Sequence, residues 1–167
     1  MKWLKEIAVQ RRLKNRLSNP DSKKIFIPEE FKHVGIIAGS ADEFTISKEF
    51  IRKKWGYKIR ITGLFYNEKE PESVEAFSHK HFRLFGQPSD YFNAFCTEKM
   101  DFILVPTLKL NPYLRYLLLA NQSGFNIGFF SEENKHYLDL MLQIEDIDLE
   151  KNIQNLINYL NKIKEAC

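Results

Sequence analysis

Only two cysteines occur in 167 residues, Cys96 and Cys167, far apart and without CxxC or Cys/His spacing. That excludes a disulfide framework and a cysteine-based zinc site. Six prolines and seven glycines are too few for a low-complexity or fibrous chain. No apolar run approaches the roughly 18 residues of a membrane span. The opening MKWLKEIAVQRRLKNRLS lacks the apolar core and small-residue cleavage site of a signal peptide, so a cytoplasmic location is expected. The common catalytic signatures GxSxG and HExxH are missing, as are the phosphate loops GxGxxG and GxxxxGK[ST]. His79 and His81, in SHKH, are the only closely spaced histidines, and alternate strand positions would put both on one face. Two ligands without a third make no metal site. No catalytic residue, no metal and no cofactor is expected.

What is present is a packed globular composition, 44% hydrophobic and 14% aromatic, in a length that suits one domain with a full core. The net charge of +3 is unevenly placed: residues 1–24 hold eight Lys/Arg against two acids, leaving 17 basic and 20 acidic residues elsewhere. A nucleic-acid-binding fold spreads its basic face across the domain, so no nucleic-acid partner is expected.

Apolar spacing predicts a basic amphipathic helix over residues 2–17, then a buried strand at 34–38 stopped by Gly39 and Ser40. A helix carrying Ile46, Phe50, Ile51 and Trp55 follows, with Gly56 as its left-handed C-cap and a strand at once within 57–66. Strand, helix and strand make one βαβ unit. The polar connection 67–80 is read with one helical turn at 73–77, residues 81–86 as a short strand ending at Gly86, and 88–99 as a short helix or turn. A second βαβ unit begins with the continuous apolar strand 102–105. Its helix starts at Asn111 and Pro112, turns Leu114, Leu117 and Leu118 inward, and is closed by Gly124 before a strand at 125–130. An apolar alternation at 136–145 precedes the clearest amphipathic helix, whose stripe is Leu149, Ile153, Leu156, Ile157, Leu160 and Ile163. The expected fold is α/β: a three-layer Rossmann-like sandwich with a largely parallel sheet and an N-terminal amphipathic helix. Residues 1–24 form that helix and a connector, and 25–167 a single α/β domain.

In such sheets the ligand crevice lies beyond the C-terminal strand ends, which nominates three loops. In AGSADE, Gly39 and Ser40 present backbone N–H groups at a helix start. The competing reading is an ordinary βα turn whose acids begin the helix. In PTLKLNP, Thr107, Lys109 and Asn111 precede the next helix and suit an anion or sugar phosphate, or simply form a solvated connection capped by asparagine. In FFSEENKHY, Ser131, Glu132, Glu133 and His136 form no catalytic set. For the basic first helix three readings stay open: docking on the domain, resting on an anionic membrane, and self-association.

The run from Phe82 to Ile144 resembles the core of a family of small uncharacterised bacterial proteins found mainly in the Bacteroidota. The likeness rests on Asp101-Phe102, the helix segment 111–123, the strand segment 125–128 and the segment 137–141. The same order is similar to the acceptor-side Rossmann-like domain of heptosyltransferase-type glycosyltransferases with the GT-B fold. The length suits a single domain, so no second domain for a sugar nucleotide is expected, and Pro106-Thr107 brings no catalytic acid after the strand. The resemblance thus implies fold more than activity. The expected function is a non-catalytic binding or interaction module, alone or as a homo-oligomer. The alternatives are a small enzyme or binding protein for a nucleotide, sugar nucleotide or phosphorylated metabolite, and peripheral membrane contact through residues 2–17.

Overall fold

The computed structural model describes residues 1–19, 24–69, 73–122 and 125–167. Six strands, β1 (His33–Ala38), β2 (Arg60–Tyr66), β3 (Ala76–Phe77), β4 (Phe102–Val105), β5 (Asn126–Phe129) and β6 (Leu140–Leu142), form one sheet in the order β3-β2-β1-β4-β5-β6. Every pairing is parallel, so the sheet is wholly rather than largely parallel among the described residues. This is the doubly wound Rossmann order, with its reversal between β1 and β4.

Helices cover both faces. On one side lie α1 (Lys2–Ser18), the short α3 (Asn93–Thr97) and α4 (Pro112–Ala120), on the other α2 (Ala41–Trp55) and α5 (Leu149–Ala166). The apolar run FILV shows why a central parallel strand reads without alternation: Phe102 and Leu104 pack toward α2 and α5, Ile103 and Val105 toward α1 and α4. Helix ends follow their local chemistry. Ser40 Oγ accepts from Glu43 N, Asn111 Oδ1 from Leu114 N with Pro112 behind it, and Asp148 Oδ1 from Glu150 N. The predicted stripes of α4 and α5 are buried at Leu114, Leu117, Leu118, Ile153, Leu156, Ile157 and Leu160.

At the N-terminal edge of the sheet two aspartates clamp the strands. Asp101 Oδ2 accepts from the backbone N–H groups of Lys32 (2.6 Å) and His33 (2.8 Å), tying the start of β1 to that of β4. Asp139 does the same for β5, accepting from Asn126 N at 2.7 Å. Both residues belong to the stretches that carry the family resemblance, and their role is to hold register.

Several expectations are corrected. The helical turn read at 73–77 shrinks to one hydrogen-bonded turn, Ser73 O accepting from Ala76 N at 3.1 Å, because Ala76 and Phe77 pair with Phe65 and Tyr66 as β3. Residues 81–86 are not a strand but a tight turn with a single bridge from Phe82 to Pro88, because Gly86 takes φ +74° and its N–H returns to Arg83 O. His79 and His81 therefore sit in a 3-10 turn, not on one strand face, and Ser78 N–H donates to His81 Nδ1 at 3.1 Å. Gly56 has positive φ, but ψ of −160° is outside the left-handed helical region, and a 3-10 turn over Gly56–Lys58 delays β2 to Arg60. Helix α4 stops at Ala120 with Asn121 as its cap; Gly124 lies outside the described residues.

Helix α1 lies on α4 through Val9 and Leu13, and Arg16 stacks 5.0 Å over the Tyr116 ring. No helix among the described residues is long and apolar enough to cross a membrane.

Candidate functional site

The reversal between β1 and β4 brings Gly39, after β1, against Thr107, after β4, across 68 residues of sequence. Gly39 N–H donates to Thr107 Oγ1 at 2.6 Å, and the Thr107 hydroxyl in turn donates to Glu43 Oε2 at 2.7 Å. The same carboxylate oxygen lies 3.2 Å from Gly39 N, and Glu43 stands in the first turn of α2. The position that an anionic ligand takes at a helix N-terminus is thus held by a side chain of the protein. Both functions of the threonine hydroxyl are used, and Thr107 is buried. The fit leaves no slack: a Cβ at Gly39 would lie 2.8 Å from Thr107 Cγ2.

The side chains of the other nominated residues take no part in this triangle. Ser40 is spent on capping α2, and Asn111 on capping α4. Lys109 is exposed and pairs with no carboxylate among the described residues. Of the third loop, Ser131 Oγ accepts from Asn134 N, Glu132 pairs with Lys135, Glu133 pairs with Arg115, and His136 faces solvent. Asn134, which drew no attention in the sequence, is fully buried and donates to Leu108 O at 2.5 Å, tying the second loop to the third. Nothing in its Lys/Glu-rich neighbourhood marks it.

A second feature absent from the sequence reading is a groove of about 370 Å³ between α1 and α4, lined by Gln10, Lys14 and Ser18 on one side and Pro112, Arg115 and Tyr137 on the other. The Arg115 guanidinium lies 5.4 Å from the Tyr137 ring centroid and reaches Glu133 at 3.2 Å, while its buried Nε has no partner among the described residues. Arginine in a leucine-rich helix reads as a solvated outward residue, so only the packing reveals it.

One polar cluster resembles catalytic machinery in composition but not in geometry. At the N-terminal edge of the sheet His33 Nε2 lies 2.8 Å from Thr62 Oγ1, and Glu98 contacts both groups. A relay needs the carboxylate on the far nitrogen of the imidazole. Here Glu98 approaches the same nitrogen that faces the hydroxyl, and Arg60 neutralises it at 2.5 Å, so the set clamps β1 to β2. Burial pushes the His33 pKa down, favouring the neutral ring. Among the described residues no three His, Cys, Asp or Glu side chains are placed to hold a metal ion.

Among the described residues, a wholly parallel, doubly wound sheet with its reversal between β1 and β4 defines a Rossmann-like α/β protein. The chain belongs to the family of unknown function DUF6913, whose family model matches residues 5–163 and so takes in most of α1 together with the sheet. No curated protein and no solved structure matches it.

Proposed function

We propose that this chain is a non-catalytic binding module, a bacterial and cytoplasmic protein that uses the Rossmann scaffold as a rigid platform rather than as a nucleotide site. The observation that carries the reading is the Glu43 carboxylate, held by Thr107 and Gly39 where a ligand phosphate would otherwise sit. A carboxylate already seated on those donors repels an incoming phosphate and leaves it no free donor pair. The likeness to the Bacteroidota family and to the acceptor-side glycosyltransferase domain supports the scaffold and brings no catalytic group to this crevice.

A thermal-shift panel of nucleotides, sugar nucleotides and sugar phosphates at millimolar concentration tests this. Native-state binding at a hundred times Kd stabilises by about 2.7 kcal/mol, a rise easily seen in Tm. No rise is expected. A saturable rise with any of them would establish the second reading, a ligand-binding protein or small enzyme using residues 39–43 and 107–111. What favours that second reading is the position of these loops at the strand-order reversal, with Lys109 exposed in the second of them.

A further inference from the structure

A surface helix ordinarily turns its apolar stripe inward and its charges to water. Helix α1 does so only in part. Val9 and Leu13 are buried, and four of its cations are drawn back onto the body of the protein. Lys2 pairs with Glu68, Lys5 reaches His79 O, Arg12 reaches Phe85 O and Arg16 reaches Leu119 O. Trp3, Leu4 and Ile7 are left in water at 62%, 40% and 49% exposure. Arg11 and Lys14 share this outward side, which spans about 100° of arc at 3.6 residues per turn. Both are exposed, and their side chains have no ion pair or hydrogen bond among the described residues.

Beside this face the turn 83–86 raises Leu84 and Phe85, the latter 74% exposed. The turn is fixed to the helix: Arg12 Nε donates to Phe85 O at 2.8 Å, and Gly86 lies so close that a Cβ would stand 2.8 Å from Ala8 C and Val9 N. The turn thus flanks the helix at Ala8 and Arg12 and adds exposed apolar side chains next to its outward face.

We propose that this surface docks the protein on anionic lipid bilayers, with Trp3, Ile7 and Phe85 entering the boundary between headgroups and acyl chains and Arg11 and Lys14 meeting lipid phosphates. The inference rests on the binding-module reading and names its partner. Charge complementarity selects the occupant. The two cations left on this face, Arg11 and Lys14, suit the negative cytoplasmic leaflet. A second copy of the chain, docked face to face, would set the same cations against one another. A nucleic acid would need cations tracking a phosphate backbone, whereas the centre of this face is aliphatic and indole.

The test is co-sedimentation of the full chain with phosphatidylcholine vesicles, with and without phosphatidylglycerol, at low and high salt. Wild type is expected to pellet only with the anionic vesicles and to be released by salt. Trp3→Ser/Phe85→Ser should abolish pelleting, and Arg11→Gln/Lys14→Gln should weaken it about thirtyfold, at about 1 kcal/mol per cation. All four side chains are exposed, so Tm should match wild type in both variants and separate lost docking from lost folding. Wild type remaining in the supernatant, undiminished binding by both variants, retention on RNA instead of vesicles, or a dimer in light scattering that Trp3→Ser/Phe85→Ser dissolves would each overturn the proposal. The nucleotide panel reports separately: vesicle failure with a silent panel removes only the membrane partner, and vesicle binding with a responding panel removes only the non-catalytic module.

Discussion

Replacing Glu43 with alanine removes the acceptor of the Thr107 hydroxyl and one of the two acceptors around Gly39 N–H, together with an acidic group in the first turn of α2. Hydrogen bonds to a charged acceptor contribute about 1.5–3 kcal/mol each, and an acid at a helix N-terminus adds about 0.3–1 kcal/mol. Gly39 N–H keeps Thr107 Oγ1 as a partner, and Glu43 is only half-buried, so the loss is not the full sum. We expect about 2–3 kcal/mol, or a Tm lowered by about 4–12 °C for a domain of this size. Glu43→Gln, which keeps an acceptor oxygen without the charge, should lose about half as much. The decisive measurement is a phosphate titration of each protein by thermal denaturation. With the carboxylate gone, Gly39 N–H and the Thr107 hydroxyl face an unfilled helix N-terminus, and inorganic phosphate should stabilise Glu43→Ala while leaving wild type unmoved. If Glu43→Ala melts with wild type, or if phosphate treats the two alike, the carboxylate is not what fills the crevice and the reasoning fails.

Four further outcomes follow from the packing. Gly86→Ala should cost about 2–4 kcal/mol by urea denaturation, because φ of +74° disfavours an L-residue and the new Cβ meets α1 backbone; a neutral result would mean that α1 does not rest on this turn. Asp101→Ala should cost about 2–4 kcal/mol by leaving two strand N–H groups without their carboxylate. Tyr113→Phe should be neutral or slightly stabilising: the ring keeps its stack on Tyr66 at 5.9 Å, and the lost hydroxyl is buried without a partner among the described residues, its pKa pushed up to about 12 by burial. A clear loss of stability would reveal a partner for that hydroxyl. Burial also lowers the pKa values of His33, His79 and His81, and the Ser78 N–H bond requires a lone pair on His81 Nδ1. The unfolded chain therefore binds protons more readily, and the histidine contribution to stability is present above the ordinary pKa of about 6.5 and lost as pH falls below it. Urea midpoints at pH 7.5 and 5.5 should differ in that direction, and a higher midpoint at the lower pH would contradict it.

How far such features are legible depends on the distance over which they are determined. Residues 34–38, 102–105 and 149–166 carry their fold locally, in an apolar run or in a 3.6-residue stripe with a capping residue, and the largely parallel α/β sandwich follows from the alternation of strands and helices, while the strand order does not. Residues 73–99 carry little of theirs. Phe77, Phe82 and Phe92 are buried because their rings meet each other and Tyr113, with centroids 4.8–5.3 Å apart, and no sequence period records such packing. Strand β3 exists only because β2 is there to pair with it. Gly39 and Thr107 were reachable from the rule that ligands bind at the reversal of strand order. The seal between them was not, since Glu43 reads as an ordinary acid in a helix's first turn until Thr107 arrives from 64 residues away.

The margins of the sheet set a limit on how copies of this protein can meet. Strand β3 has two residues and β6 three, which offers an incoming strand almost no ladder to extend. Growth of the sheet from one molecule into the next, the usual route to amyloid-like stacking and to edge-joined dimers, is therefore blocked at both borders. Any assembly must be written in side chains on the helical faces, where a few point substitutions can make or dissolve it.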